Sequence, residues 1–295
     1  MGEMKKTKIA GVQMDVGLGA VEGNLEAIGR RAAVAVKEGA ELIVFPECAV
    51  SGYCFDSLDD ALAVGESIPG ESTARLESLC RQLNCFLVVG MLEKEGDTTL
   101  YNVSVLMGPE GVIGKYRKAH LPFLGVDRFT TPGDGDFRVE SLPGLRVGMN
   151  ICYDATFPEA ARVLMLDGAD LIALPTNWPP GSEPAAEHVI NARALENKVF
   201  YAAVNRVGVE NGFEFIGHSR ICGPKGQTLA EAPHREETIL YAEIDPAESR
   251  EKHVVRVPNK HEIHRFRDRR PDLYGALTVP LSVERFRGGD SKAAR

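Results

Sequence analysis

Cys152 follows the largely apolar run Arg146-Val147-Gly148-Met149-Asn150-Ile151 and precedes Pro158, so the chain delivers a thiol to the carboxyl end of a strand just ahead of a helix. That edge is where α/β sheets place reactive groups, and a nearby helix amino end favours the thiolate. Thr156 and Glu159 form a T-x-x-E pattern around Pro158, which predicts a capped helix start aimed at the sulphur. A thiol that attacks carbon needs a proton acceptor. His120, His188 and His218 are available by type, and Glu47, after Val44-Phe45-Pro46, ends another apolar run and so is expected at the same sheet edge. A carboxyl group partly desolvated there has its pKa raised towards a value useful for proton shuttling. Lys118, in Lys115-Tyr116-Arg117-Lys118-Ala119-His120, supplies a cation for developing negative charge. Singly, the three read as a buried inert thiol, a solvated loop glutamate and a basic surface run. Only together do they make a mechanism.

The elements that must position them alternate. Lys8 to Met14 reads as a strand, Gly23 to Lys37 as a helix and Leu42 to Phe45 as a strand buried on both faces. A helix from about Ser72 to Leu83 precedes the strand Phe86 to Met91. Leu100 to Met107 and Val112 to Tyr116 form a hairpin turned at Gly108-Pro109-Glu110-Gly111. The strand Leu145 to Ile151 is followed by the helix Pro158 to Asp167, the strand Leu171 to Leu174, the helix Ala185 to Asn197 and the strand Val199 to Val204. An Asn211-Gly212 turn and a strand from Thr238 to Ile244 come late. Strands alternating with helices and interrupted by hairpins predict mixed sheets covered by helices.

Composition narrows the function classes. The chain has 295 residues, 44% hydrophobic and 26% charged, enough for one large globular domain with a sizeable core. A net charge of 34 − 42 = −8 disfavours nucleic acid as a partner. No apolar leader follows Met1-Gly2-Glu3-Met4-Lys5-Lys6, and no run approaches the ~18 apolar residues of a membrane span. A cytoplasmic location is expected, with the six cysteines reduced and the Asn102-Val103-Ser104 sequon unused. His261-Glu262-Ile263-His264 falls short of H-E-x-x-H, and Gly17-Leu18-Gly19 lacks the rest of a dinucleotide fingerprint, so neither metal nor cofactor is expected.

The three chemical residues stand in phrases that resemble the nitrilase superfamily of carbon–nitrogen hydrolases. These are Phe45-Pro46-Glu47 with Ser51-Gly52-Tyr53, Tyr116-Arg117-Lys118 with His120-Leu121-Pro122, and Ile151-Cys152-Tyr153-Asp154 with Phe157-Pro158-Glu159. They follow at separations of 118 − 47 = 71 and 152 − 118 = 34 positions, and the resemblance spans roughly Lys8 to Ala247. Pro175-Thr176-Asn177-Trp178-Pro179, Arg193-Ala194-Leu195-Glu196-Asn197 and Asn205-Arg206-Val207-Gly208 are similar to further phrases of the family. The resemblance implies a four-layer αββα sandwich with two mixed β-sheets, usually paired as a homodimer. It also implies Cys152 as nucleophile, Glu47 as general base and acid, Lys118 as stabiliser of the intermediate, and His120 as a structural neighbour. The Tyr153 backbone N–H is expected in the oxyanion hole, and Tyr53, Phe123, Asn177 and Trp178 in the substrate pocket.

The implied reaction is hydrolysis of a small aliphatic amide to carboxylate and ammonia through a cysteine thioester. Tyr153-Asp154 after the nucleophile resembles the amidase branches, whereas nitrile-cleaving members commonly carry Trp-Glu. N-carbamoyl amide hydrolysis is the alternative, ahead of nitrile hydrolysis and a silent binding scaffold. The family usually carries a second glutamate six positions before the Pro of a Pro-Gly pair. Here Val126 stands there, with Asp127 one position later. Either the loop Leu124 to Arg128 presents Asp127 or three groups suffice. Residues 1–270 are expected to form the hydrolase domain and 271–295 a C-terminal extension that packs on a second subunit and ends in a loose tail.

Overall fold

The computed structural model describes residues 6–280. Its first half contains β1 (Thr7–Gln13), α1 (Val21–Lys37), β2 (Leu42–Val44), α2 (Leu58–Leu62), α3 (Glu71–Leu83), β3 (Phe86–Glu95), β4 (Thr99–Gly108) and β5 (Gly111–Arg117). Its second half contains β6 (Val139–Leu142), β7 (Leu145–Met149), α4 (Pro158–Leu166), β8 (Leu171–Thr176), α5 (Ile190–Asn197), β9 (Phe200–Asn205), the short hairpin β10 (Val209–Glu210) and β11 (Phe213–Glu214), β12 (Arg220–Cys222), β13 (Thr228–Glu231), β14 (Thr238–Ile244) and α6 (Pro246–Arg250).

Two six-stranded sheets result, in the orders β14-β1-β2-β3-β4-β5 and β13-β12-β9-β8-β7-β6. Both are mixed. The pairs β1–β2, β2–β3, β7–β8 and β8–β9 run parallel, and the outer pairs run antiparallel. Alternating side chains build four layers. In β1 and β2, Ala10, Val12 and Ile43 face Leu25, Ile28 and Leu76 of α1 and α3. Their neighbours Ile9, Leu42 and Val44 face the second sheet, whose far side is covered by Leu164 of α4 and Ile190 of α5. Strands buried on both faces have no polar alternation, which is why Leu42-Ile43-Val44 is an unbroken apolar run. At Gly11 an added Cβ would lie 2.7 Å from Leu240 Cδ1 and 2.9 Å from Val204 Cγ2, so any larger residue would have to displace these two methyl groups.

The sandwich is the four-layer αββα fold the motifs imply. The second sheet is wider than the pattern indicated, since β6, β12 and β13 are short or only partly buried and carry little periodic signal. One compact unit runs to Lys252, and a smaller one begins at His253 with the hairpin β15 (His253–Val257) and β16 (His261–His264). The expected boundary near residue 270 thus falls inside the second unit. Residues 281–295, with most of the expected extension and its tail, lie outside the described residues. No helix among the described residues is long and apolar enough to cross a membrane.

Candidate active site

Glu47 leaves β2 through Pro46, and the turn is seated on β3 by Gly90, whose N–H donates to the Pro46 carbonyl at 3.3 Å. A Cβ on Gly90 would come within 2.7 Å of Glu47 Cα, so glycine is what lets the turn lie against the strand. Lys118 follows β5 directly, its backbone N–H donating to the Asn102 carbonyl on β4 at 2.8 Å. Asp127 sits on the 3-10 turn Gly125–Arg128, which opens with Gly125 at φ +50 and the Tyr53 ring packed against it. Glu47 and Cys152 stand at the ends of strands in two facing sheets, not along one sheet edge as the sequence suggests.

These groups converge. Lys118 Nζ donates to Glu47 Oε1 at 2.7 Å and to Asp127 Oδ2 at 2.5 Å, and all three side chains are fully buried. The Tyr53 hydroxyl donates to Asp127 Oδ2 at 2.8 Å. Asn102 spends both amide hydrogens on the cluster, donating to Glu47 Oε1 at 2.7 Å and Asp127 Oδ1 at 2.9 Å. Sequence reasoning missed Asn102, seeing only an unused sequon. The signal lay in a buried polar residue within an apolar strand, which must find partners. Val126 turns instead into the apolar cluster with Tyr53 and Phe215.

Burial raises the Glu47 pKa first, and the Asp127 charge raises it further, against the pull of Lys118 and Asn102. Burial works against the Lys118 charge, yet Asp127 and Glu47 hold its pKa well above the usual lysine range. Glu47 Oε2 is buried without a hydrogen-bond partner, the one oxygen of the cluster left to exchange a proton.

Cys152 follows β7 at φ +43, a left-handed backbone that is costly for a residue with a side chain and is typical of sites where structure overrides local preference. Burial, then the Glu47 charge, pushes its thiol up to about 12, with Lys118, Thr176 and Asn177 pulling the other way. This corrects the expectation of a helix-stabilised thiolate. A 3-10 turn, Cys152–Thr156, separates the sulphur from α4, whose N-cap is Phe157 with no side-chain cap, so the Thr156–Glu159 box does not form.

Asp154 anchors this turn. It accepts from Ile151 N at 2.9 Å, His120 N at 3.1 Å and the Tyr116 hydroxyl at 2.8 Å, and its Oδ1 lies 2.6 Å from His120 Nδ1. His120 stacks on Phe157 at 3.9 Å. The Tyr153-Asp154 pair therefore splits, with Asp154 turned into the protein and Tyr153 on the cavity wall. That cavity, of 360 Å³, is lined by Cys152 with Leu124, Tyr153, Asn177, Trp178 and Val189 among others. Both polar atoms of the Asn177 amide are buried without partners. Trp178 is fixed through its N–H to Asn205 Oδ1 at 2.8 Å. Two expected wall residues are elsewhere: Tyr53 lies behind the cluster as a donor to Asp127, and Phe123 is 69% exposed and does not line the cavity. Both flank Leu124, a distinction that sequence position alone does not reveal.

Residues 8–253 match the family model described as carbon–nitrogen hydrolase. A Pyrococcus abyssi protein named as a nitrilase is 41% identical over 268 residues, covering 90% of this chain and 98% of its own length. An omega-amidase of Xenopus tropicalis is 33% identical over 250 residues, covering 80% of this chain and 89% of its own. Among solved structures, the amidase from Nesterenkonia sp. AN1 superposes with a TM-score of 0.77 at 26% identity, covering 92% of this chain and 99% of that one. A mutant of that amidase carries the acetamide moiety of fluoroacetamide on its active-site cysteine, and another is in complex with butyramide.

Proposed function

The chain belongs to the carbon–nitrogen hydrolase family, and on that premise we propose that it hydrolyses small neutral aliphatic amides to carboxylate and ammonia through a thioester on Cys152. The observation that carries this reading is the convergence of one buried ammonium and two buried carboxyl groups beside a cysteine that lines an uncharged cavity. A thiol pushed up to about 12 is unreactive until its proton is taken, so attack needs a base beside the sulphur. Glu47 serves, because burial makes its carboxylate readier to accept a proton than an exposed one.

In the first half-reaction Glu47 takes the Cys152 proton as sulphur attacks the amide carbon. The oxyanion then forms beside Lys118 and the Tyr153 N–H, each donor typically worth about 3–4 kcal/mol of barrier lowering. Glu47 returns the proton to the leaving nitrogen, and ammonia departs. In the second half-reaction Glu47 activates water against the thioester, and carboxylate leaves with the thiol restored. Asp127 positions Lys118, and Asn102 holds both carboxyl groups apart at fixed distance.

The substrate class follows from the walls. Among the described residues lining the cavity none is charged, which favours a neutral acyl group over a carboxylate-bearing one. Complexes of the related amidase with short amides and the omega-amidase relatives support the same bond type. A homodimer is part of the proposal, supported by Val163 and Leu166 of α4 and Leu195 of α5, apolar side chains 42%, 36% and 41% exposed on the outer helical layer. The test is an ammonia-release panel of acetamide, propionamide and butyramide against matched nitriles and N-carbamoyl compounds. Amides should react at least about tenfold faster than nitriles, a barrier difference near 1.4 kcal/mol. A nitrile or N-carbamoyl preference would overturn the substrate assignment.

A further inference from the structure

A second cluster of ligating side chains lies outside this site. Glu187, His218 and His234 are separated by 218 − 187 = 31 and 234 − 218 = 16 positions, a spacing that matches no short metal motif. The fold nonetheless brings one donor atom of each within 4.8 Å of the others. Glu187 rides on the π-helical turn Ala185–Val189. His218 stands just before β12, and His234, after β13, is held alongside by an antiparallel bridge to Gly217. The two imidazole centroids are 4.0 Å apart with the rings tilted by 51°.

His218 carries the argument. It is 4% exposed and adopts φ +59, a left-handed conformation uncommon for residues other than glycine. Its Nε2 lies 2.6 Å from Glu231 Oε1. An ionised carboxylate can only accept, so Nε2 bears the hydrogen, and in the neutral imidazole that a cation would bind Nδ1 keeps the lone pair. That Nδ1 is buried without a hydrogen-bond partner. A carboxylate gripping one ring nitrogen so that the other is presented as a donor is the usual support of a metal-binding histidine. Arg220 is the opposing feature, with Nη2 3.4 Å from His218 Nε2. Its guanidinium is already engaged by Glu231 Oε1 at 2.7 Å, the Glu187 carbonyl at 2.7 Å and Asn191 Oδ1 at 2.8 Å. Glu187 and Glu231 together outweigh its charge.

We infer that Glu187, His218 and His234 form a site for a divalent transition cation such as Zn²⁺ or Co²⁺. Two imidazoles with one carboxylate suit this class, whereas Ca²⁺ and Mg²⁺ want oxygen ligands. Three protein ligands near the surface leave the remaining positions to water. Ala185 and Val189, on the same turn as Glu187, line the catalytic cavity, so an occupied site ties down one of its walls. The proposed hydrolysis routes no step through this ion.

The test titrates tag-free, chelator-stripped protein with Co²⁺ and Zn²⁺ in competition with a chromophoric chelator. Cys152→Ala protein is run in parallel so that the thiol cannot supply the ligand. One saturable equivalent is expected in both, weakened at least about tenfold by His234→Ala and by Glu187→Gln, changes at partly exposed positions. Glu231→Gln, whose amide can donate to Nε2 and reverse the tautomer, should weaken binding by about tenfold to a hundredfold. A His253→Ala/His264→Ala variant should bind normally. Undiminished binding in His234→Ala and Glu187→Gln, or no saturable binding below about 1 mM, overturns the site.

Discussion

Two carboxyl groups share one fully buried ammonium, and this sets how Glu47 titrates. Because burial and the Asp127 charge both raise the Glu47 pKa, the acid limb of the kcat/KM profile should lie above the ordinary carboxyl value of 4.5. Activity falls as pH drops through that limb, since only the carboxylate form accepts the thiol proton. Asp127→Asn removes a raising charge and leaves Lys118 more fully to Glu47, and both effects act in the same direction. The limb should move to lower pH while kcat falls at least about tenfold, worth 1.4 kcal/mol. An unmoved limb with normal kcat would leave Glu47, Lys118 and Cys152 as the whole set. Lys118→Ala should lower kcat far more than it raises KM for a neutral amide, because the ammonium acts on charge that develops after binding. Asn102→Leu removes a buried donor from each carboxyl group, leaving Glu47 Oε1 with Lys118 and Asp127 Oδ1 with the Thr130 hydroxyl at 3.5 Å, and should cost about 1–3 kcal/mol in chemical denaturation, alongside lost turnover. At this scale the motifs mark Glu47, Lys118 and Cys152 as positions, and the structure buries Glu47 and Lys118 in one cluster and sets Cys152 on the cavity wall. Asn102 and the choice of Asp127 over Val126 depend on which side of a strand or turn faces inward, and a single position does not carry that information.

The elements supply the tolerances. Gly90 is a strand glycine whose missing Cβ makes room for the Glu47 turn, with backbone on every side. Gly90→Ala must therefore push the turn away, and such overpacking typically costs about 1–3 kcal/mol. A fall in kcat at saturating amide, with the circular dichroism spectrum retained, is the expected reading. Wild-type kcat in that variant would show that the turn has slack. Strands and helices of the layered core announce themselves through unbroken apolar runs and 3.6-residue periodicity, and most were read to within a few residues. The 3-10 turn after Cys152 was not, because Thr156-Phe157-Pro158-Glu159 satisfies the pattern of a helix start. Asp154 wins that competition by capturing the Ile151 and His120 backbone N–H groups and drawing the turn inward.

For the whole molecule, the layered order was implied by motif resemblance more than by pattern, since short edge strands such as β6, β12 and β13 carry little periodicity. Which sheet each strand joins is a long-range property: Glu47 and Cys152 follow strands of different sheets, and the Glu47 charge acts on the Cys152 thiol only because those sheets stack face to face. The apolar residues on the outer faces of α4 and α5 bear on assembly. Light scattering should give twice the 32.1 kDa chain mass, and Val163→Lys with Leu195→Lys should shift the population towards monomer. A monomer at all concentrations would remove the dimer from the account.

In the proposed reaction the carbon–nitrogen bond breaks by transfer of the acyl group to Cys152. Rapid acid quenching during turnover of a short aliphatic amide, followed by peptide mass mapping, addresses it directly. An acyl adduct on the Cys152 peptide is expected within the first turnover, with neither adduct nor ammonia from folded Cys152→Ala protein. Ammonia release by Cys152→Ala at the wild-type rate, or an adduct on another cysteine in its place, would contradict it.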